Sequence, residues 1–218
     1  MYEEQKVEII ESCHALVADS SFIGTWGNVS ERVGDHIILT PSRVSYGTMR
    51  VEDMVVIGLD GEIVESPAGH VPTSEKEVHR QIYLVRDDVR AVVHAHTANA
   101  MAVSTLPEPE VPCLVEEMSQ LLGGSIPLTE RYVPAEHHQE LGLAAAQVVG
   151  DRNAVIMRNH GPVACGRTME EARLAVKVIE KSCGIYLSVL GRAYKPIPQE
   201  YVESERYRFL YKYGKEKS

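Results

Sequence analysis

The chain has 218 residues, 22 Lys and Arg against 31 Asp and Glu, and a formal charge of −9. That length allows one large domain burying about 70% of its unfolded surface, so folding needs no disulfide or metal staple. Hydrophobic residues at 44% and charged residues at 24% exclude a wholly disordered chain, and the acidic balance argues against nucleic acid or an anionic membrane as partner. A small anion held by local donors stays compatible with it.

The N-terminal segment MYEEQKVEIIES is acidic and lacks the apolar stretch of a signal peptide. Residues 3–20 place Val7, Ile10, Ala15, Leu16 and Val17 at helical spacing, and Gly24 follows as a stop. GTWGNVSERV turns into an extended run, and HIILT (36–40) reads as a short strand ending at Pro41. MVVIGLDGEIVE (54–65) is predicted to be a hairpin about Asp60-Gly61. Ser74 to about Arg86 reads as a helix, with Ser74 as N-cap and Glu77 as its capping-box partner. VRAVVHAH (89–96) is a β-branched strand ending in histidines. Residues 97–106 and 116–122 are predicted to be helical, as is the Ala- and Leu-rich run 136–149 before Gly150. NAVIM (153–157) is a strand ending at Arg158-Asn159-His160-Gly161, and another strand starts near Pro162. Thr168, with Glu171, is predicted to cap a helix reaching about Leu190. A last helix spans 199–213 and holds Tyr201, Tyr207, Tyr211 and Tyr213.

Short, hairpin-like strands interspersed with helices predict an α/β domain with a largely antiparallel sheet covered by helices. No GxGxxG or GxxxxGK[ST] motif points to a dinucleotide or P-loop site. Cys13, Cys113, Cys165 and Cys183 form no CxxC pair and read as small buried hydrophobes in a reducing cytoplasm. No uninterrupted apolar run is long enough to span a membrane.

The sharpest chemical signal is His94-Ala95-His96 at a strand end. Residues i and i+2 of a strand share a face, so two imidazoles side by side form a chelate. His160 also follows an apolar strand, and three neutral imidazoles with one open position make a catalytic zinc site. An HxH pair also arises by chance on a solvated strand; the third histidine tips the reading towards metal. Glu75, in Pro72-Thr73-Ser74-Glu75, is either an ordinary first-turn carboxylate or a fourth ligand and general acid/base. Gly24-Thr25-Trp26-Gly27-Asn28-Val29-Ser30 and Thr40-Pro41-Ser42 suit an anion-holding loop, although a helix C-cap and a turn explain them equally. His79, four residues after Glu75 on one helix face, reads as a supporting or core histidine. His137-His138 reads as a solvated helix start, and His14, His36 and His70 have no partner visible in sequence. Glu116-Glu117 is either a solvated pair or a second acid/base.

The ordered set GTWGNVS, LTPS, PTSE, HAH and NHG resembles the class II aldolase/adducin family over about residues 5–190. That resemblance implies an α/β/α layered single domain, here 1–218, assembled as a homotetramer with sites between subunits. It implies that His94, His96 and His160 bind the metal, and that Glu75 ligates it and acts as acid/base. It places Thr25, Gly27, Asn28, Thr40, Ser42, Thr73 and Ser74 around the phosphate of a phosphorylated sugar. The implied activity is reversible cleavage of a ketose 1-phosphate to dihydroxyacetone phosphate and an aldehyde through a metal-stabilised enediolate. Zn2+ suits the ligands, as do Mn2+, Co2+ and Fe2+. Two other branches of the family stay open. Glu75 and Gln120 stand where the ribulose-phosphate epimerase branch carries Asp, whereas Tyr213-Gly214 is similar to that branch's tail. Glu116 stands where the aldolase branch has Tyr, and Glu117-Met118 resembles the catalytic Glu of the methylthioribulose-phosphate dehydratase branch. Adducin-like members lack the metal residues and act as binding modules; the Glu-His-His-His set argues against that role here.

Overall fold

The β-branched runs pair into a single large sheet. The computed structural model describes residues 1–213. Its strands are β1 (Asn28–Val33), β2 (His36–Leu39), β3 (Val55–Gly58), β4 (Ile63–Glu65), β5 (Ala91–His94), β6 (Glu110–Val111), β7 (Ile126–Pro127), β8 (Ala154–Met157) and β9 (Gly161–Gly166). Seven of them form a sheet in the order β4-β3-β2-β1-β5-β9-β8, and β6 pairs β7 separately. Every pairing within the sheet is antiparallel, as the hairpin-like spacing predicts. Side chains alternate between the faces. Val29, Ala91, Val93 and Ala164 enter one core, and Val92, Val163 and Cys165 enter a second.

Helices cover both faces. They are α1 (Glu3–Ala18), α2 (Lys76–Val85), α3 (Ala98–Ser104), α4 (His138–Val149), α5 (Met169–Val189) and α6 (Gln199–Tyr211). Ile9, Cys13 and Leu16 of α1 and Ala172, Ala175 and Ile179 of α5 fill the first core. Val78 and Ile82 of α2 and Leu141 and Ala145 of α4 fill the second. All four cysteines are free and buried. Among the described residues, no helix is long and apolar enough to cross a membrane.

Two local differences from the sequence reading matter for the site. Ser74 does not cap α2; the helix starts at Lys76, with Glu75 just before it and no side-chain cap. Thr73 takes over. Its N–H donates to Thr40 O, which keeps the chain extended, and its hydroxyl accepts the Glu75 N–H at 3.3 Å. Glu77 pairs with Arg80 instead of returning to Ser74. The second difference is at β5, which ends at His94, so His96 lies beyond the sheet. The chain is still tethered there, because the Ala95 N–H donates to Pro162 O at 3.1 Å. Elsewhere the signals hold. Thr168 Oγ1 accepts the Glu171 N–H, while the Glu171 carboxylate takes the N–H of Arg167, one residue before the cap. The helical segment predicted at 116–122 is a five-residue π turn, Met118–Leu122, stopped by Gly123 at φ +86°. Gly214, read with Tyr213 from sequence, lies outside the described residues.

Candidate metal centre

His94 is fully buried at the end of β5, the strand between β1 and β9. Its Nδ1–H donates to Pro162 O at 2.9 Å, so Nε2 presents a lone pair to the interior. His94 Nε2 lies 2.9 Å from His96 Nε2 and 3.4 Å from Glu75 Oε2. His160 Nε2 lies 2.8 Å from Glu75 Oε1. The donor atoms of Glu75, His94, His96 and His160 all fall within 4.8 Å of one another.

The β8–β9 hairpin delivers His160. Asn159 turns the chain at φ +53°, and Gly161 follows at φ +150°. A Cβ on Gly161 would sit 2.6 Å from Ala95 O, so only glycine lets the hairpin lie against the backbone between His94 and His96. The Asn-His-Gly spelling is thus a packing requirement of the site.

Electrostatics favour cation binding. Burial pushes His94 down to about 3 and also lowers His96, so both imidazoles are neutral, as ligands must be. Burial alone would raise the Glu75 carboxyl. Hydrogen bonds from His160 and the Asn28 amide overcome this and hold it well below the usual carboxylate range. Three imidazole nitrogens and one carboxylate oxygen, converging in a buried to half-buried corner, fit a zinc-type divalent cation.

A buried hydrogen-bond chain fixes Glu75 from behind. Asn28 Nδ2 donates to Glu75 Oε2 at 2.7 Å. Asn28 Oδ1 lies 2.5 Å from His79 Nε2, His79 Nδ1 lies 2.6 Å from Ser30 Oγ, and Ser30 Oγ lies 2.8 Å from Tyr83 Oη. Burial pushes His79 down to about 4, so it is neutral. One proton arrangement satisfies every link. Tyr83 donates to Ser30, Ser30 donates to His79, and His79 donates to Asn28, which donates to Glu75. All the dipoles then point their positive ends at the carboxylate. His79 is therefore a supporting histidine. The signal for the whole chain was spacing: Glu75, His79 and Tyr83 recur every four residues, and Asn28 and Ser30 are two apart on a strand.

In front of Glu75 lies a cavity of about 280 Å3. Thr25, Gly27, Asn28, Ser42, Thr73 and Ser74 line it with Glu75 and His96. Thr40 is outside this lining; it is buried, and its hydroxyl accepts the Val29 N–H. Two lining residues were given no role by the sequence reading, although Trp26 lies inside the loop it singled out. Trp26 is exposed and stacks parallel to His96, with ring centroids 6.4 Å apart. Arg43 also borders the cavity. Glu117 is not brought here; it pairs with Lys181 on α5 and is half exposed. Glu116 is exposed too, as are Tyr201, Tyr207, Tyr211 and Tyr213. His14, His36 and His70 bind locally to Tyr46 O, the Tyr2 hydroxyl and Asp53, and His137 and His138 are exposed.

Residues 7–187 match the family described as Class II Aldolase and Adducin N-terminal domain. The chain belongs to this family. Within the class II aldolase and adducin family it is 32% identical over 183 residues to an L-fuculose phosphate aldolase of Methanocaldococcus jannaschii, covering 84% of this chain and 95% of that one. It is 31% identical over 168 residues to an L-ribulose-5-phosphate 4-epimerase of Salmonella paratyphi C, covering 72% of each. A solved L-fuculose 1-phosphate aldolase superposes with a TM-score of 0.88 at 28% identity, over 95% of this chain and 97% of that one. As a class II aldolase family member, the chain keeps the Glu-His-His-His cluster together in space.

Proposed function

We propose that the protein is a metal-dependent aldehyde-lyase that reversibly cleaves a ketose 1-phosphate between C3 and C4, giving dihydroxyacetone phosphate and an aldehyde. One observation carries this reading. Glu75 is an ionised, buried carboxylate between His94 and His160 that opens onto a cavity of neutral donors. His94, His96, His160 and Glu75 would hold a divalent cation, which when bound would supply Lewis acidity for the negative charge of the enediolate. In the synthetic direction the Glu75 carboxylate takes a proton from C3 of dihydroxyacetone phosphate; in cleavage Glu75 gives C3 a proton, balanced by the one released from the C4 hydroxyl. The amide and hydroxyl donors at Asn28, Ser42, Thr73 and Ser74, with Thr25 and Gly27, hold the phosphate and fix the reacting carbons. A second acid/base handles the C4 hydroxyl proton. Glu117 is our candidate, contributed by a neighbouring copy of the chain, because within its own chain it stays outside the cavity. That assignment requires a site shared between copies of the chain, and with the family resemblance we expect a cytoplasmic homotetramer. Zinc is the cation we expect, with manganese, cobalt or iron suiting the same donors.

The test is proton exchange. Metal-replete protein is incubated with dihydroxyacetone phosphate in D2O, and the C3 protons are followed by NMR. Stereospecific loss of one proton signal, abolished by chelator, is the expected result. Absence of exchange with metal bound overturns the aldolase reading. The 31% identity to an L-ribulose-5-phosphate 4-epimerase makes ribulose phosphates the next substrates in that case.

A further inference from the structure

Arg43 follows β2 with φ +63°, in the left-handed region where Cβ crowds the next carbonyl oxygen. Glycine adopts this conformation freely, and Asn and Asp tolerate it through short polar side chains. Arginine has neither advantage. Its side chain is exposed, and among the described residues it makes no hydrogen bond or ion pair. Neither packing nor pairing of the Arg43 side chain therefore offsets the backbone strain. Strain that persists without local compensation points to use by a ligand.

The surroundings identify that ligand's chemistry. Arg43 lines the cavity in front of Glu75, and no other Lys or Arg is among the lining residues. The remaining donors there are hydroxyls and amides, which carry no formal charge. A phosphate entering this cavity therefore finds a single side-chain cation among the lining residues, Arg43. A guanidinium supplies the missing charge and a planar fork of donors matched to phosphate oxygens. Being unpaired, it can do so without breaking an existing ion pair.

We propose that Arg43 is the specificity-determining cation of the cavity, closing on the phosphate group and separating phosphorylated from unphosphorylated sugars. This rests on the reading of the cavity as a phosphate pocket.

Trp26, the chain's single tryptophan, lines the same cavity and gives a local probe. Inorganic phosphate is titrated into the metal-loaded full chain while Trp26 fluorescence is followed, in the wild type and in Arg43→Gly. The substitution should weaken phosphate binding about tenfold and flatten its dependence on salt. Its Tm should be unchanged or higher, because glycine relieves the left-handed strain. Weaker binding with undiminished stability cannot come from a merely structural arginine. Equal phosphate affinity in the two proteins overturns the Arg43 assignment and leaves the phosphate pocket standing. A wild type that does not bind phosphate overturns the pocket reading, and the Arg43 assignment with it.

Discussion

At His94 the backbone chooses the donor atom. The Pro162 carbonyl occupies Nδ1, and the Nε2 lone pair turns to Glu75 and His96. His94→Ala should therefore lose its metal on dialysis while keeping its far-UV circular dichroism. Elemental analysis reads the loss, and a fully metallated variant would remove His94 from the ligand set. Glu75→Gln keeps the shape but not the proton transfer. Exchange into dihydroxyacetone phosphate should fall about 10²–10⁴-fold, and a near-wild-type rate would end the acid/base role. Glu31 on β1 offers a separate test of the electrostatics. One of its carboxylate oxygens is buried without a partner, and burial, reinforced by Glu8, pushes the group up to about 7 from 4.5. The folded state thus keeps a proton that the unfolded chain releases. The stability this contributes is complete below 4.5 and is lost as pH rises through about 7. Glu31→Gln should melt above the wild type at about pH 8 and lose that advantage at about pH 5, as a thermal melt at each pH will show.

Among the elements, α2 does most to build the site. Its first turn follows Glu75, and its inner face carries His79 and Tyr83 into the chain that ends on that carboxylate. Its height is set by α4, because a Cβ on Gly142 would lie 2.4 Å from Glu77 O. Gly142→Ala must push the two helices apart. Overpacking of this kind costs about 1–3 kcal/mol, which lowers Tm by several degrees in a chain of this size. The shift should also weaken metal retention, since Glu75 immediately precedes α2; a variant with wild-type Tm would show that the helices have room to spare. The strands and the Thr168 cap were legible because their signals are local: β-branched runs, a hairpin turn, a hydroxyl three residues before an N–H. The start of α2 was not. Thr73 is held extended by Thr40, 33 positions earlier in the chain, and local capping rules do not see that bond.

For the whole molecule, the exposed aromatics matter most. Tyr201, Tyr207 and Tyr211 of α6, and Tyr213 after it, are more than half exposed, and Glu117 stands outside its own cavity. A tetramer would give these groups a place. Sedimentation should return about four times the 24.2 kDa chain mass, and Glu117→Gln should slow turnover without loss of metal. A monomer with full turnover would overturn the shared-site assignment.

The sequence by itself determined the residue types and their local geometry. Short β-branched runs with hairpin-like spacing pointed to the antiparallel sheet, and the HAH and NHG motifs at strand ends supplied the imidazoles. Those signals act over a few residues, where side-chain periodicity and turn chemistry dominate. Tertiary structure decided which groups meet. It brought His160 against His94 across the β5–β9 pairing, turned Glu75 inward by ending the extended chain at Thr73, and aligned Tyr83, Ser30, His79 and Asn28 behind it. It also left Arg43 in the left-handed region, without a hydrogen bond or ion pair among the described residues, in the lining of the cavity in front of Glu75. These are contacts between segments distant in sequence, set by strand register and by how closely helices and hairpins approach; local spacing puts Glu75, His79 and Tyr83 on one face but does not say what they meet.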